Sequence, residues 1–412
     1  MEIRPILSAM WQNKTGPVLI SLQIAFTLAV VVNAMFLINV RIEKMDRPVG
    51  IDTPNIYNLS TVPTVPVEGV RDFIERDMAA IRSIPGVVDA SPVLTFLQGG
   101  STRAEGYRPN EDLADANYRI VNVNFVDEHG LDALGIELLR GRNFRKDEIR
   151  YLDANERALP DVAILTESMG RDLFGDEDPL GKDVYYADEE NRTMRVIGVI
   201  KDVAAAWLAS DSPRGRKTVY NFMLQPFVET KSGRGYNYAI RAEPGALNAV
   251  MSEVEKKLFE VDPNRLIERT YTQKELLARS YGTDRAVIQI LSIVAGLMVV
   301  ITALGIVGLA SFTVNQRTRQ IGTRRALGAK RRDILRYFIT ENVLLTTFGV
   351  VLGSFMAYGL HLALFNLLRI PKLDPGYLPV GIVVLYLLGV LAVFGPARRA
   401  SMIPPGIASR TV

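Results

Sequence analysis

The sequence predicts a membrane α-helical protein with four transmembrane helices and a large α+β extracytoplasmic domain between the first and second spans. Three observations predict it. Four long apolar runs are separated by polar sequence. The block 41–284 mixes helical and strand-like patterns and contains no spanning run. The stretch 316–341, between the second and third runs, carries eight Lys/Arg residues against Asp333 and the bordering Glu341. A short loop this basic stays in the cytoplasm, because flanking positive charge sets topology. Burying such residues at the bilayer centre would cost about 2.5–3.5 kcal/mol each. Alternation from that loop puts both termini inside and 41–284 outside.

Composition narrows the chemistry. A chain of 412 residues that is 48% hydrophobic yet 23% charged combines membrane spans with a sizeable soluble part. The net charge of +3 is too small to argue for nucleic acid, and the basic excess lies beside apolar runs. With no cysteine, disulfides, thiol catalysis and thiolate metal sites are excluded. Two histidines, His129 and His361, make a multi-histidine metal cage a poor expectation.

In chain order, 1–16 is a cytoplasmic or interfacial segment, with Ile3, Ile6, Leu7, Met10 and Trp11 at roughly helical spacing. Residues 17–40 form the first span. The run exceeds the apolar core of about 7–15 residues of a signal peptide and lacks its small-residue cleavage pattern, so it reads as an uncleaved anchor. Its polar Gln23, Thr27 and Asn33 are expected to face other helices. Within 41–284, periodicity predicts helices over 67–83, 127–134, 167–174 and 246–261. It predicts strands over 87–96, 118–125, 161–165, 195–203, 218–224, 236–241 and 266–271. The polar stretches 101–116 and 147–160 read as loops. Two β-α-β pieces, near the start and end of the block, are placed to pair as halves of one split unit around an inserted subdomain.

The remaining spans are 285–315, 342–368 and 378–395. They leave 316–341 as a cytoplasmic segment, 369–377 as a short outer loop and 396–412 as a cytoplasmic tail with Arg398, Arg399 and Arg410. Gly349 and Gly353 make a G-x-x-x-G pattern. It serves either packing within one subunit or a dimer seam. A helical 316–327 stopped by Gly328, followed by a helix from Lys330 into the third span, would make an elbow at the membrane surface.

No enzyme site emerges. GDEDPLGKD, from 175 to 183, resembles a phosphate loop, but it has five residues between its glycines and Asp183 where Ser/Thr should hold magnesium. Asp176, Glu177 and Asp178 read as solvated turn carboxylates. G-x-S-x-G, H-E-x-x-H and EF-hand patterns are missing.

The basic stretch RTRQIGTRRALGAKRRDILRYFITEN resembles the coupling segment of MacB/FtsX-type ABC transporter permeases. The likeness is carried by Arg317, Ile321, Gly322, Arg325, Ala326, Leu327, Gly328, Ala329, Arg332, Ile334 and Glu341. Gln320 stands where that family usually has Glu. GLDALGIELLRGRNF, ILTESMGRDLFGDEDPLGKDV and RVIGVIKDV look like blocks of the MacB-type periplasmic domain, and PARRASMIPPGIASR looks like the family's ending. The resemblance implies a type VII permease subunit in the bacterial inner membrane that binds no cofactor itself. It implies that ATP and magnesium are held by a separate cytoplasmic ABC ATPase. Further partners implied are a second permease, identical or not, a periplasmic adaptor and an outer-membrane channel. Coupling would be by mechanotransmission through the long second span. The ATPase-docking residues would be Arg317, Arg319, Ile321, Gly322, Arg324, Arg325, Ala326, Leu327, Gly328 and Ala329, with Gly349 and Gly353 packing helices. Export is the first expectation. A regulator of a cell-wall hydrolase and a lipoprotein-releasing permease are the alternatives.

Overall fold

The computed structural model describes residues 14–99, 103–112, 118–152, 160–187, 192–204, 218–230, 235–368 and 370–404. The expected amphipathic start over 1–12 and Arg410 lie outside them. The chain divides into two compact units, 1–44 with 284–412, and 45–283.

The first unit is a helical bundle. Its helices are α1 (Thr15–Met45), α7 (Gly282–Gln316), α8 (Thr318–Ala326), α9 (Arg331–Leu368) and α10 (Tyr377–Ser401). All but α8 are long and apolar enough to cross a membrane. Two of them extend beyond the apolar runs. α9 begins at Arg331, so one helix leads from the basic stretch 316–341 into the third run, as a helix starting near Lys330 would. α10 runs through Pro396 to Ser401, so Arg398 and Arg399 sit in its last turn.

Helix α1 is the centre of this bundle, with Ile24, Leu28 and Val32 almost fully buried. Glycines on its neighbours make room for it. A Cβ at Gly349 would lie 2.6 Å from Ile24, one at Gly353 2.8 Å from the Ala25 backbone, and one at Gly381 2.6 Å from Val32. The G-x-x-x-G pair therefore faces α1 of the same chain, the geometry by which small residues let helices approach closely. Polar groups join the helices too. The Thr27 and Thr302 hydroxyls are 2.7 Å apart, and Asn33 Nδ2 donates to the Ala357 carbonyl at 3.0 Å. A Cβ at Gly305 would lie 2.6 Å from Gln23 Oε1.

The second unit is α+β. One antiparallel sheet has the order β13-β1-β12-β2, from β1 (Ile56–Pro63), β2 (Val87–Val93), β12 (Tyr236–Ala242) and β13 (Arg265–Thr272). Helix α2 (Val70–Arg82) joins β1 to β2, and α5 (Leu247–Val261) joins β12 to β13. Each helix thus bridges two strands that hold a third between them, which is the split β-α-β arrangement. Phe73, Ile74, Met78 and Ile81 of α2 form one stripe, and Val250, Val254 and Leu258 of α5 another. Both stripes share a core with Tyr57, Leu59, Tyr238 and Ile240.

Between β2 and β12 lies the inserted part. It comprises β3 (Arg103–Arg108), β4 (Arg119–Phe125), α3 (Gly130–Leu134), β5 (Leu138–Gly141), β6 (Arg150–Leu152), β7 (Val162–Thr166), α4 (Glu167–Phe174), β8 (Asp183–Tyr186), β9 (Thr193–Ile200), β10 (Phe222–Gln225) and β11 (Phe227–Glu229). Its main sheet has the order β5-β9-β7-β10-β4-β3-β8. Because β8 also pairs with β9, six of these strands close on themselves, which removes most free edges. Helix α6 (Gln273–Ser280) ends the unit, started by Thr272 accepting from the Glu275 N–H.

Several elements depart from the sequence reading. Residues 103–108, expected as loop, are β3, which pairs with β4 over Arg103–Tyr107. Only its last two residues are buried, so no apolar alternation shows. Arg150–Leu152 likewise forms β6, paired in parallel with β11. β1 is central yet carries Asn58 and Ser60, and Asn58 Nδ2 is satisfied by Gln273 Oε1 at 2.8 Å. The 175–183 stretch holds turns and the start of β8, with Lys182 paired to Glu177.

A buried ion pair ties the edge strand β13 to α2. Arg265 donates to both Asp77 oxygens at 2.8 and 2.9 Å, and both side chains are fully buried. Tyr238 donates to the same carboxylate at 2.8 Å. Burial and the Asp77 charge hold its phenol well above the ordinary tyrosine value, so it remains a donor. Arg265→Met leaves Asp77 buried without its counter-ion and is expected to cost about 3–5 kcal/mol. Faster hydrogen exchange in α2 and β13 would report it, and adding Asp77→Leu should restore most of the protection. In the first unit, Gly353→Leu should destabilise by about 1–3 kcal/mol through overpacking. Gly359→Leu, with nothing within 4 Å of the new Cβ, should leave the melting temperature in detergent unchanged.

Candidate functional site

The elbow between α7 and α9 is built by local chemistry. Helix α8 ends in a Schellman motif: the Gly328 N–H bonds the Arg325 carbonyl at 3.2 Å and the Ala329 N–H bonds Arg324 at 3.0 Å. Gly328 takes φ +98°, a left-handed conformation that glycine adopts without Cβ strain. On the far side, Asp333 accepts from the Lys330 N–H at 2.9 Å and starts α9. The turn is therefore specified from both directions.

Helical spacing divides α8 into two faces. Ile321 and Gly322 are buried, and Ile321 joins Ile334 and Phe338 of α9 in the bundle core. Arg325, on the same side, donates through Nη1 to the Ser401 carbonyl at the end of α10, 2.9 Å away. Arg319, Thr323, Arg324, Ala326, Leu327 and Gly328 are exposed, and Ala329 is half-buried. Leu327, at the tip of the turn, is 83% exposed.

Arg317 sits in the break between α7 and α8. Its Nη1 donates to the Tyr337 hydroxyl at 2.9 Å and to the Glu341 carboxylate at 3.3 and 3.4 Å. The guanidinium of Arg324 lies over the same Tyr337 ring at 5.3 Å from its centroid. Of the ten residues expected to meet a partner, Arg317, Ile321, Gly322 and Arg325 thus turn toward the protein itself. Residues 321, 322 and 325 share a helical face, and that face is needed to hold α8 against α9 and α10. The outward set is cationic around one apolar tip.

The sequence reading missed the groups that receive the inward set, Tyr337, Phe338 and Ser401. It also missed a second ion cluster in this unit. Asp284, at the start of α7, accepts from Arg41 Nη1 at 2.5 Å and Lys44 Nζ at 3.0 Å, both on α1. An acid just before a long apolar run, opposite two bases just after another, was the available signal. Among the described residues no group of His, Cys, Asp and Glu is arranged to hold a metal ion.

Four membrane-length helices, an α+β unit that follows the first of them in sequence, and a cationic helical elbow after the second define a multi-pass membrane protein of the permease class. Residues 19–257 match the MacB-like periplasmic core domain, and residues 292–405 match the FtsX-like permease C-terminal domain. The chain belongs to the MacB-like periplasmic core domain family and is an ABC transporter permease of the MacB/FtsX type.

The macrolide export ATP-binding/permease protein MacB of Chromobacterium violaceum is 25% identical over 368 residues, covering 87% of this chain and 52% of that protein. The MacB of Agrobacterium fabrum is 29% identical over 352 residues, covering 82% and 48%. The chain spans about half the length of these MacB relatives. The uncharacterized ABC transporter permease YknZ of Bacillus subtilis is 25% identical over 360 residues, covering 85% of this chain and 82% of that protein. Among solved structures, the periplasmic region of MacB from Actinobacillus actinomycetemcomitans aligns with a TM-score of 0.34 at 14% identity, covering 57% of this chain and 95% of that one.

Proposed function

We propose that this chain is the permease subunit of an ABC exporter and acts by mechanotransmission. In this reading the elbow lies in the cytoplasm with both termini, and the 45–283 unit lies outside the membrane. A cytoplasmic ABC ATPase binds the elbow, holds ATP and magnesium, and supplies the work. This chain performs no hydrolysis itself. Two permeases are brought together, and their movement reaches the outer domain, which drives export with an adaptor and outer channel as further partners.

The outward face of α8 and its turn carries the reading. Leu327 is presented, exposed, by a turn fixed on both sides, and the exposed residues of the same stretch include Arg319, Arg324 and Lys330, with no acid on α8 itself. An apolar tip in a cationic stretch suits a soluble partner with an apolar socket and an acidic rim. A few such residues carry most of the binding energy in many interfaces. A loop serving only as a topology signal would need charge but no fixed leucine tip. α7 is a single 35-residue helix, about 52 Å long at 1.5 Å per residue, against a hydrocarbon core of about 30 Å. It therefore has length to spare at both membrane faces.

Leu327→Asp is expected to abolish co-purification of the ATPase while membrane insertion is unchanged. Pull-down at wild-type yield would remove the docking role. Because the chain has no cysteine, a single Arg324→Cys can be labelled without background. Labelling by an impermeant reagent from the outside would invert the orientation and end this reading. Co-purified partners separate the functional alternatives: an adaptor supports export, a cell-wall hydrolase supports signalling, and a bound lipoprotein supports extraction.

A further inference from the structure

We propose that α7 is a strut pinned at its two ends by ion pairs, and that Arg317 and Asp284 are the positioning residues through which a displacement of the elbow appears at the far end of the helix. The inference rests on the mechanotransmission reading and assigns the residues that would make it work.

Apart from one hydroxyl contact, Thr302 with Thr27 of α1, and the buried Ile306, the flank of α7 is poorly suited to transmit force. Ile290, Ile293, Leu297, Val300 and Leu304 are each more than half exposed. Cβ atoms added at Gly296 or Gly308 would meet nothing within 4 Å. Near its inner end α7, α1 and α9 together line a cavity of about 220 Å³, with Ile20, Ile306, Leu309, Phe338 and Leu345 on its wall and Arg317 and Glu341 beside them. In lipid such apolar contact gives little restoring force, because acyl chains replace a leucine neighbour at almost no cost.

The ends differ. At one, Asp284 is 2% exposed and is held by Arg41 and Lys44 of α1. At the other, Arg317 is held by Glu341 and Tyr337 of α9. Separating either set would strand a poorly hydrated charge, so these contacts resist displacement where apolar ones slide. The two pins also grip different helices. A push on the elbow is taken up with α9 and delivered with α1. Beyond Asp284 and Lys44 the chain continues directly into the 45–283 unit at both places.

The test uses the full-length chain in nanodiscs with the ATPase that co-purifies with it. Spin labels are placed at Asn315→Cys, at the elbow end of α7 and outside the docking face, and at Lys256→Cys on α5, both exposed. The wild-type background should show an ATP- and vanadate-dependent shift in the distance distribution. Asp284→Asn and Glu341→Ala should lose that shifted population while the ATPase remains bound. The charge-reversed pair Arg317→Glu with Glu341→Arg should restore it, which a loss of folding alone would not permit. Retention of the full shift in Asp284→Asn and in Glu341→Ala would overturn the pins with mechanotransmission intact. A wild-type chain that binds the ATPase yet shows no shift would remove mechanotransmission, and the pins with it.

Discussion

The seating of Ile321 against Ile334 and Phe338 is the contact on which the elbow depends. It turns α8 from a strand of charges beside the membrane into a fixed projection. Once Ile321 and Gly322 are inside, helical geometry leaves Arg319, Thr323, Arg324 and Leu327 outside. The Schellman turn at Gly328 then sets where the leucine tip points. Arg317 and Arg324 stack their charge on Tyr337, so part of the cationic density is held close to the bundle and part is offered outward. In the docking role proposed for it, this preformed surface would lower the ordering cost of binding.

The bundle follows a related rule at its centre. α1 is buried because Gly349, Gly353 and Gly381 let it approach α9 and α10 closely. The polar Thr27 and Asn33 find partners on α7 and α9, so they are packing groups rather than a path for solute. α7 remains the least enclosed of the helices. Its surface suits lipid or a neighbouring copy, and its charged ends anchor it.

How far the sequence discloses this arrangement depends on what each residue had to do. The helices were readable because apolar runs and stripes such as Phe73-Ile74-Met78-Ile81 have one explanation. The split β-α-β pairing was readable because its two helices are strongly amphipathic. β1 and β3 were hidden because pairing, not alternation, makes them strands, and Asn58 is buried against a residue more than two hundred positions away. At the elbow, the basic pattern and Gly328 disclosed the turn. Nothing local disclosed which side of α8 faces inward, since Ile321 and Leu327 look equally apolar until α9 is placed beside them.

The strand order of the first sheet has a consequence for how the protein is made. β1 pairs only with β12 and β13, and within that sheet β2 pairs only with β12, so no ladder of it forms until residues beyond 235 have been synthesised. The closed strands of the insertion draw on residues only as far as Gln225 and are complete before then. Early in synthesis the chain therefore carries one finished subdomain and two waiting strands with unpaired backbone. Contacts this distant in sequence close slowly, and open strands are prone to join wrong neighbours. The buried Asn58 and Ser60 make β1 less adhesive during that wait than an all-apolar strand would be.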